Sequence, residues 1–112
     1  MSDELHWLSI AELSERLERR EVGAVEVTEA TLRRIDATEG AVHAFAGVMA
    51  ESALAEAARA DEELGRGERR GPLHGVPVGV KDLLYTAGFP TSGGSRVLAD
   101  FVPDEDAVVV RK

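Results

Sequence analysis

A chain of 112 residues has room for one modest domain. Its apolar and charged fractions, 44% and 30%, are those of an ordinary soluble protein and exclude a disordered one. A net charge of −8 disfavours nonspecific binding to nucleic acid or to an anionic membrane, and the absence of cysteine excludes disulfide and thiolate chemistry. The start, MSDELHWLSI, carries acid where a signal peptide carries basic charge, and no apolar run approaches a membrane span, so the expected location is cytoplasmic.

In chain order, Ser9-Ile-Ala-Glu12 reads as a capping box that opens a first helix. Ile10, Leu13 and Leu17 follow helical spacing, Arg19 and Arg20 suit the negative end of the dipole, and Gly23 breaks the pattern. A second helix is expected from Val25 to Thr38, with Thr28, Leu32 and Ile35 on one face and Gly40 as its stop. The segment Val42–Met49, VHAFAGVM, is short, apolar and partly β-branched or aromatic, and reads as a buried strand. Glu51–Leu64 is alanine-rich and predicts a third helix. Gly65, Gly67 and Gly71 mark a loop closed by Pro72. Val76–Lys81 reads as a second strand, with Pro77 placing it at a strand start or a sheet edge. Tyr85–Gly94 reads as turns, and Pro103 and Asp104 as the start of a helix whose body is AVVVRK over 107–112. Two strands do not make a self-sufficient sheet. The expectation is therefore an α/β fold, a mixed sheet flanked by helices, of which residues 1–112 are an incomplete opening segment. Unpaired apolar strands at 42–49 and 76–80 would then favour self-association.

Lys81 stands apart. Arginine supplies nearly all the positive charge, and the only other lysine is Lys112. Arginine stays protonated, whereas a lysine in apolar surroundings can lose its proton and act as a base. Val78 and Val80 are expected to flank a half-buried ammonium. The alternative is a strand-end lysine that reaches solvent beside Asp82. Asp82 reads as a holder of a backbone amide or turn, or as a counter-ion for Lys81. Gly75 and Gly79 read as sites of close backbone approach. His74 lacks a visible Asp or Ser partner set. His6, His43 and His74 have no metal-ligand spacing, no phosphate-binding glycine loop is present, and no cofactor is expected.

The string GPLHGVPVGVKD over 71–82, with AGFPTSGGS over 87–95 and FVPDEDA over 101–107, resembles the N-terminal part of the amidase signature family. That family includes general amidases, allophanate hydrolases and the A subunit of the glutamyl-tRNA amidotransferase. The resemblance runs from about Leu8 to the end of the chain. It implies that Lys81 is the base of a Ser–cis-Ser–Lys triad that hydrolyses carboxamide C–N bonds. In the family both serines and the oxyanion amides lie downstream, so the 112-residue chain alone is expected to be inactive. Thr91-Ser-Gly-Gly-Ser95 corresponds to a tight turn after the lysine strand and is not the nucleophile loop; Ser92 and Ser95 are read as turn residues. The implied substrate is a small-molecule amide. An A subunit of a tRNA-dependent amidotransferase, with glutamine hydrolysis, ammonia donation and partner subunits or tRNA, shares every motif visible here. A third reading is a non-catalytic truncated remnant that keeps the base and lacks the nucleophile.

Overall fold

The computed structural model describes residues 2–112. A 3-10 segment, Ser2–Trp7, is followed by helices α1 (Ile10–Glu18), α2 (Ala24–Val42), α3 (Ala50–Gly65) and α4 (Val108–Arg111). The chain divides into two compact units, one running to Pro77 and the other covering Val78–Lys112.

The first unit is a small helical cluster. Helix α1 begins with the expected capping box: the Ser9 hydroxyl accepts from the Glu12 amide at 3.2 Å, and the Ser9 amide donates to the Glu12 carboxylate at 2.7 Å. The Ser9 amide, and secondarily the Ser9 hydroxyl, hold the Glu12 carboxyl below the usual carboxylate range. The apolar face of α1 buries Leu13 and Leu17. Helix α2 starts at a glycine, Gly23, which has no side chain to offer its first-turn amides. Asp61 of α3 supplies the cap instead. Its carboxylate accepts from the Ala24 amide at 2.6 Å and the Val25 amide at 3.0 Å. The core is Leu5, Leu13, Leu17, Ala24, Val27, Ala30, Ala57, Ala60 and Leu64, with Val76 packed against it. Four alanines let α2 and α3 approach closely, and they make the core thin.

Gly75 has φ +89°, and a Cβ there would stand 3.2 Å from the Ala24 Cβ and 3.4 Å from Leu17 Cδ1. The expected close approach is real at this glycine. At Gly79 a Cβ would meet nothing within 4 Å, so that part of the expectation is corrected.

The α/β expectation is overturned. Among the described residues the regular structure is all helical, with no strand and no sheet. Val42 is the last residue of α2, which runs past Gly40 and ends at a left-handed cap on His43 with φ 50°. The end is satisfied there, because the His43 amide donates to the Glu39 carbonyl at 2.8 Å and the Phe45 amide to the Glu39 carboxylate at 3.0 Å. Residues 43–49 are irregular, and so are 76–81. An apolar β-branched run becomes a strand only when a neighbour completes its hydrogen-bond ladder, and neither run finds one here.

The second unit is built from turns. The segments 85–91 and 101–107 run antiparallel without forming a ladder: Gly88 donates to the Pro103 carbonyl, Thr91 to Phe101 and Ala107 to Tyr85, at 3.0, 2.9 and 2.8 Å. The Asp106 carboxylate accepts from the Ala87 amide at 2.7 Å, and the Tyr85 and Phe101 rings meet edge to face. Residues 103–107 are committed to this pairing, so the helix expected from Pro103 starts only at Val108.

Candidate active-site segment around Lys81

Lys81 lies in the second unit, at the end of the irregular run after Pro77. Its carbonyl accepts from the Leu84 amide at 3.0 Å, which closes a turn over 81–84. The ammonium is exposed, and its expected apolar flanks are open as well, with Val78 68% and Val80 38% exposed. The half-buried environment read from the sequence is therefore not supplied within residues 2–112.

The structure brings Asp82 and the 91–95 turn together. The Ser92 amide donates to Asp82 Oδ1 at 2.9 Å, and the Ser92 hydroxyl donates to Asp82 Oδ2 in a short hydrogen bond. The Gly93 amide donates to the Asp82 main-chain carbonyl at 2.7 Å. Gly93 and Gly94 have φ +56° and +76°, a left-handed pair that lets the turn aim these donors at one residue. The Ser92 hydroxyl, and secondarily its amide, hold the Asp82 carboxyl below the usual aspartate range. Both carboxylate oxygens are occupied by Ser92, so Asp82 acts as the amide holder and not as a contact counter-ion for Lys81. Among the described residues Lys81 makes no ion pair. The sequence left the partner of Asp82 unnamed; the small-polar and glycine composition of 91–95 was the available signal.

Ser92 donates its hydroxyl to a carboxylate within a turn, which agrees with its reading as a turn residue. The Ser95 amide donates to the Ser92 carbonyl at 2.9 Å and continues the turn.

His74 has neighbours that its sequence position did not reveal. Its side chain is 3% exposed, Nδ1 accepts from the Arg70 amide at 3.0 Å, and Nε2 lies 3.6 Å from the Glu63 carboxylate. Arg70 Nε also pairs with Glu63 at 2.9 Å. A separate open groove of about 540 Å³ in the first unit runs between α1 and the loop before Gly75, lined by Ile10, Ser14, Arg69 and Leu73 among others. Arg69 spans it by donating to the Ser14 hydroxyl at 3.0 Å. Among the described residues no cluster of His, Asp and Glu has the arrangement of a metal site, and no helix is long and apolar enough to cross a membrane.

A family model described as Amidase matches residues 26–112. The chain belongs to the amidase family. The A subunit of the glutamyl-tRNA(Gln) amidotransferase of Moorella thermoacetica is 48% identical over 109 residues, covering 97% of this chain and 22% of the relative. The protein of the same name from Chloroflexus aggregans is 46% identical over 109 residues, with the same coverage of 97% and 22%. A Mycobacterium bovis protein named as an amidase, AmiD, is 44% identical over 110 residues, covering 98% of this chain and 23% of the relative. The chain thus spans less than a quarter of the length of these relatives. No solved structure matches it significantly.

Proposed function

We propose that this segment contributes the general base, Lys81, to an amidase that cleaves carboxamide C–N bonds by acyl transfer. The observation that carries the reading is the Val-Gly-Val-Lys-Asp run, with Lys81 leading into the Asp82–Ser92 tie, in a chain of the amidase family. In this reading the neutral Lys81 amine accepts a proton from a bridging serine. That serine takes the proton of a second serine, whose oxygen attacks the amide carbonyl carbon. Backbone amides hold the developing oxyanion. The C–N bond breaks, the leaving nitrogen takes a proton, and ammonia or an amine departs. Water then releases the acyl group as a carboxylic acid. Both serines and the oxyanion amides belong, by the family pattern, to sequence outside residues 1–112.

A second reading, the glutamine-hydrolysing component of a tRNA-dependent amidotransferase that passes ammonia to a partner, is favoured by the 46% and 48% identities to proteins named for that complex. Release of ammonia from glutamine alone, against release from simple amides, separates the two.

The test uses a full-length enzyme carrying this segment. Lys81→Ala abolishes turnover, and Lys81→Arg fails to restore it, because arginine keeps the charge but not the neutral base. The 112-residue chain by itself releases no ammonia above its own Lys81→Ala control. Substantial kcat in Lys81→Arg would make Lys81 an electrostatic or structural residue and end the proposal.

A further inference from the structure

Two successive residues of the 81–84 turn divide the labour between them. Lys81 presents an exposed side chain and lends only its carbonyl to the turn, through Leu84 at 3.0 Å. Asp82 uses every acceptor it has on another stretch of chain. Its two carboxylate oxygens take the amide and hydroxyl of Ser92, and its carbonyl takes the Gly93 amide. Three hydrogen bonds from one residue fix both its side chain and its peptide plane. That carbonyl lies in the Asp82–Leu83 peptide plane, and the Lys81 carbonyl, bonded to the Leu84 amide, holds the preceding Lys81–Asp82 plane, so the two planes that follow the lysine are both restrained. The irregular run 78–80 supplies no such restraint, having neither strand partners nor burial.

From this arrangement we infer that Asp82 and Ser92 form a positioning pair for Lys81, holding the lysine's backbone at the angle its side chain needs to reach a proton donor. The inference rests on the reading of Lys81 as the base. Asp82 and Ser92 themselves touch no reacting atom; they act through the lysine. A base displaced by about 1 Å loses on the order of 100-fold in rate, so a staple of this kind matters to turnover as well as to folding.

The experiment measures order at Lys81 in the 112-residue chain, independent of any activity. Backbone relaxation and amide exchange are recorded for the wild type, Ser92→Ala, Ser92→Thr, Asp82→Asn and Asp82→Ala. Unchanged amide shifts in α1–α3 serve as the control for folding. The wild-type Lys81 amide is expected at the rigid end of the scale, an order parameter of about 0.85, falling toward about 0.6 in Ser92→Ala and Asp82→Ala. Ser92→Thr, which keeps the hydroxyl, restores it, and Asp82→Asn lies between. In an active full-length enzyme Ser92→Ala lowers kcat by between about 10- and 100-fold with KM unchanged, and Ser92→Thr recovers it. Lys81 order that stays at the wild-type value in Asp82→Ala overturns the inference, and so does an unprotected Ser92 amide in the wild type. A fully active Lys81→Ala enzyme would instead remove the catalytic reading while leaving the order measurement to stand or fall alone.

Discussion

Replacing Asp61 by alanine tests a long-range contact of the helical unit. Asp61 sits in α3, yet it caps α2, whose own cap residue is Gly23. Removing its carboxylate leaves the Ala24 and Val25 amides without their acceptor. Ala24 is fully buried, so water reaches that amide poorly. A hydrogen bond to a charged group contributes about 1.5–3 kcal/mol, which sets a ceiling near twice that for the pair. The Asp61 side chain is 24% exposed, so solvent recovers part of the loss. Loss of a helix cap to alanine typically costs about 0.5–2 kcal/mol. The two scales meet at about 2–3 kcal/mol, a large share of the roughly 5–15 kcal/mol that holds a domain folded. Asp61→Asn keeps one acceptor and should lose about half as much. Arg20→Ala removes a 3.4 Å pair whose arginine is 42% exposed, and should cost under about 0.5 kcal/mol. Urea unfolding followed by far-ultraviolet circular dichroism gives the midpoints. Amide exchange at Ala24 and Val25 reports the cap directly. If Asp61→Ala unfolds within about 0.5 kcal/mol of the wild type, the inter-helix cap is not holding α2.

Gly75→Ala places a Cβ against Leu17 and Ala24 at positive φ and should destabilise the helical unit by about 1–3 kcal/mol, whereas Gly79→Ala should be neutral within about 0.5 kcal/mol; equal midpoints for the two variants would refute the packing argument. Asp82 titrates below an ordinary aspartate, so the stability it lends the 91–95 turn is present above the unfolded value, about 3.9, and is lost as pH falls through the lower folded value. Exchange protection of the Ser92 and Gly93 amides should therefore persist at about pH 5 and vanish in stronger acid, with Ser92→Ala moving the Asp82 midpoint upward; protection that is flat across this range would exclude the carboxylate as the acceptor. Exposed apolar side chains, Val97 at 93% and Val108 and Val109 at 65%, should make the 112-residue chain associate as concentration rises, through side-chain contacts and not strand edges, and a clean monomer in sedimentation at every concentration would contradict this.

Helices α1, α2 and α3 were legible because the patterns that mark them are local, whereas the start of α4 was not. The Ser9–Glu12 box and the Ile10, Leu13 and Leu17 spacing act within one or two turns of chain, and an alanine-rich run such as 50–65 is helical almost wherever it is placed. The lysine stood out as a candidate for a similar reason: an arginine-rich chain with one internal lysine, at the end of an apolar run, marks that position without help from the fold. Strands were misread because pairing is not a property of the run that carries it. Val42 joined α2, 76–81 stayed irregular, and the β-branched residues of both segments were left to tertiary context. The surroundings of Lys81 belonged to that same class, since whether Val78 and Val80 shield an ammonium depends on what packs over them. Only the folded chain could decide that Asp61 caps a helix 37 residues away, that Glu63 meets His74, and that both oxygens of Asp82 go to Ser92. Composition marked 91–95 as a turn but named no partner for it, and each of these pairings is decided by which surfaces the packed helices and the left-handed turn at Gly93 and Gly94 bring within hydrogen-bond reach.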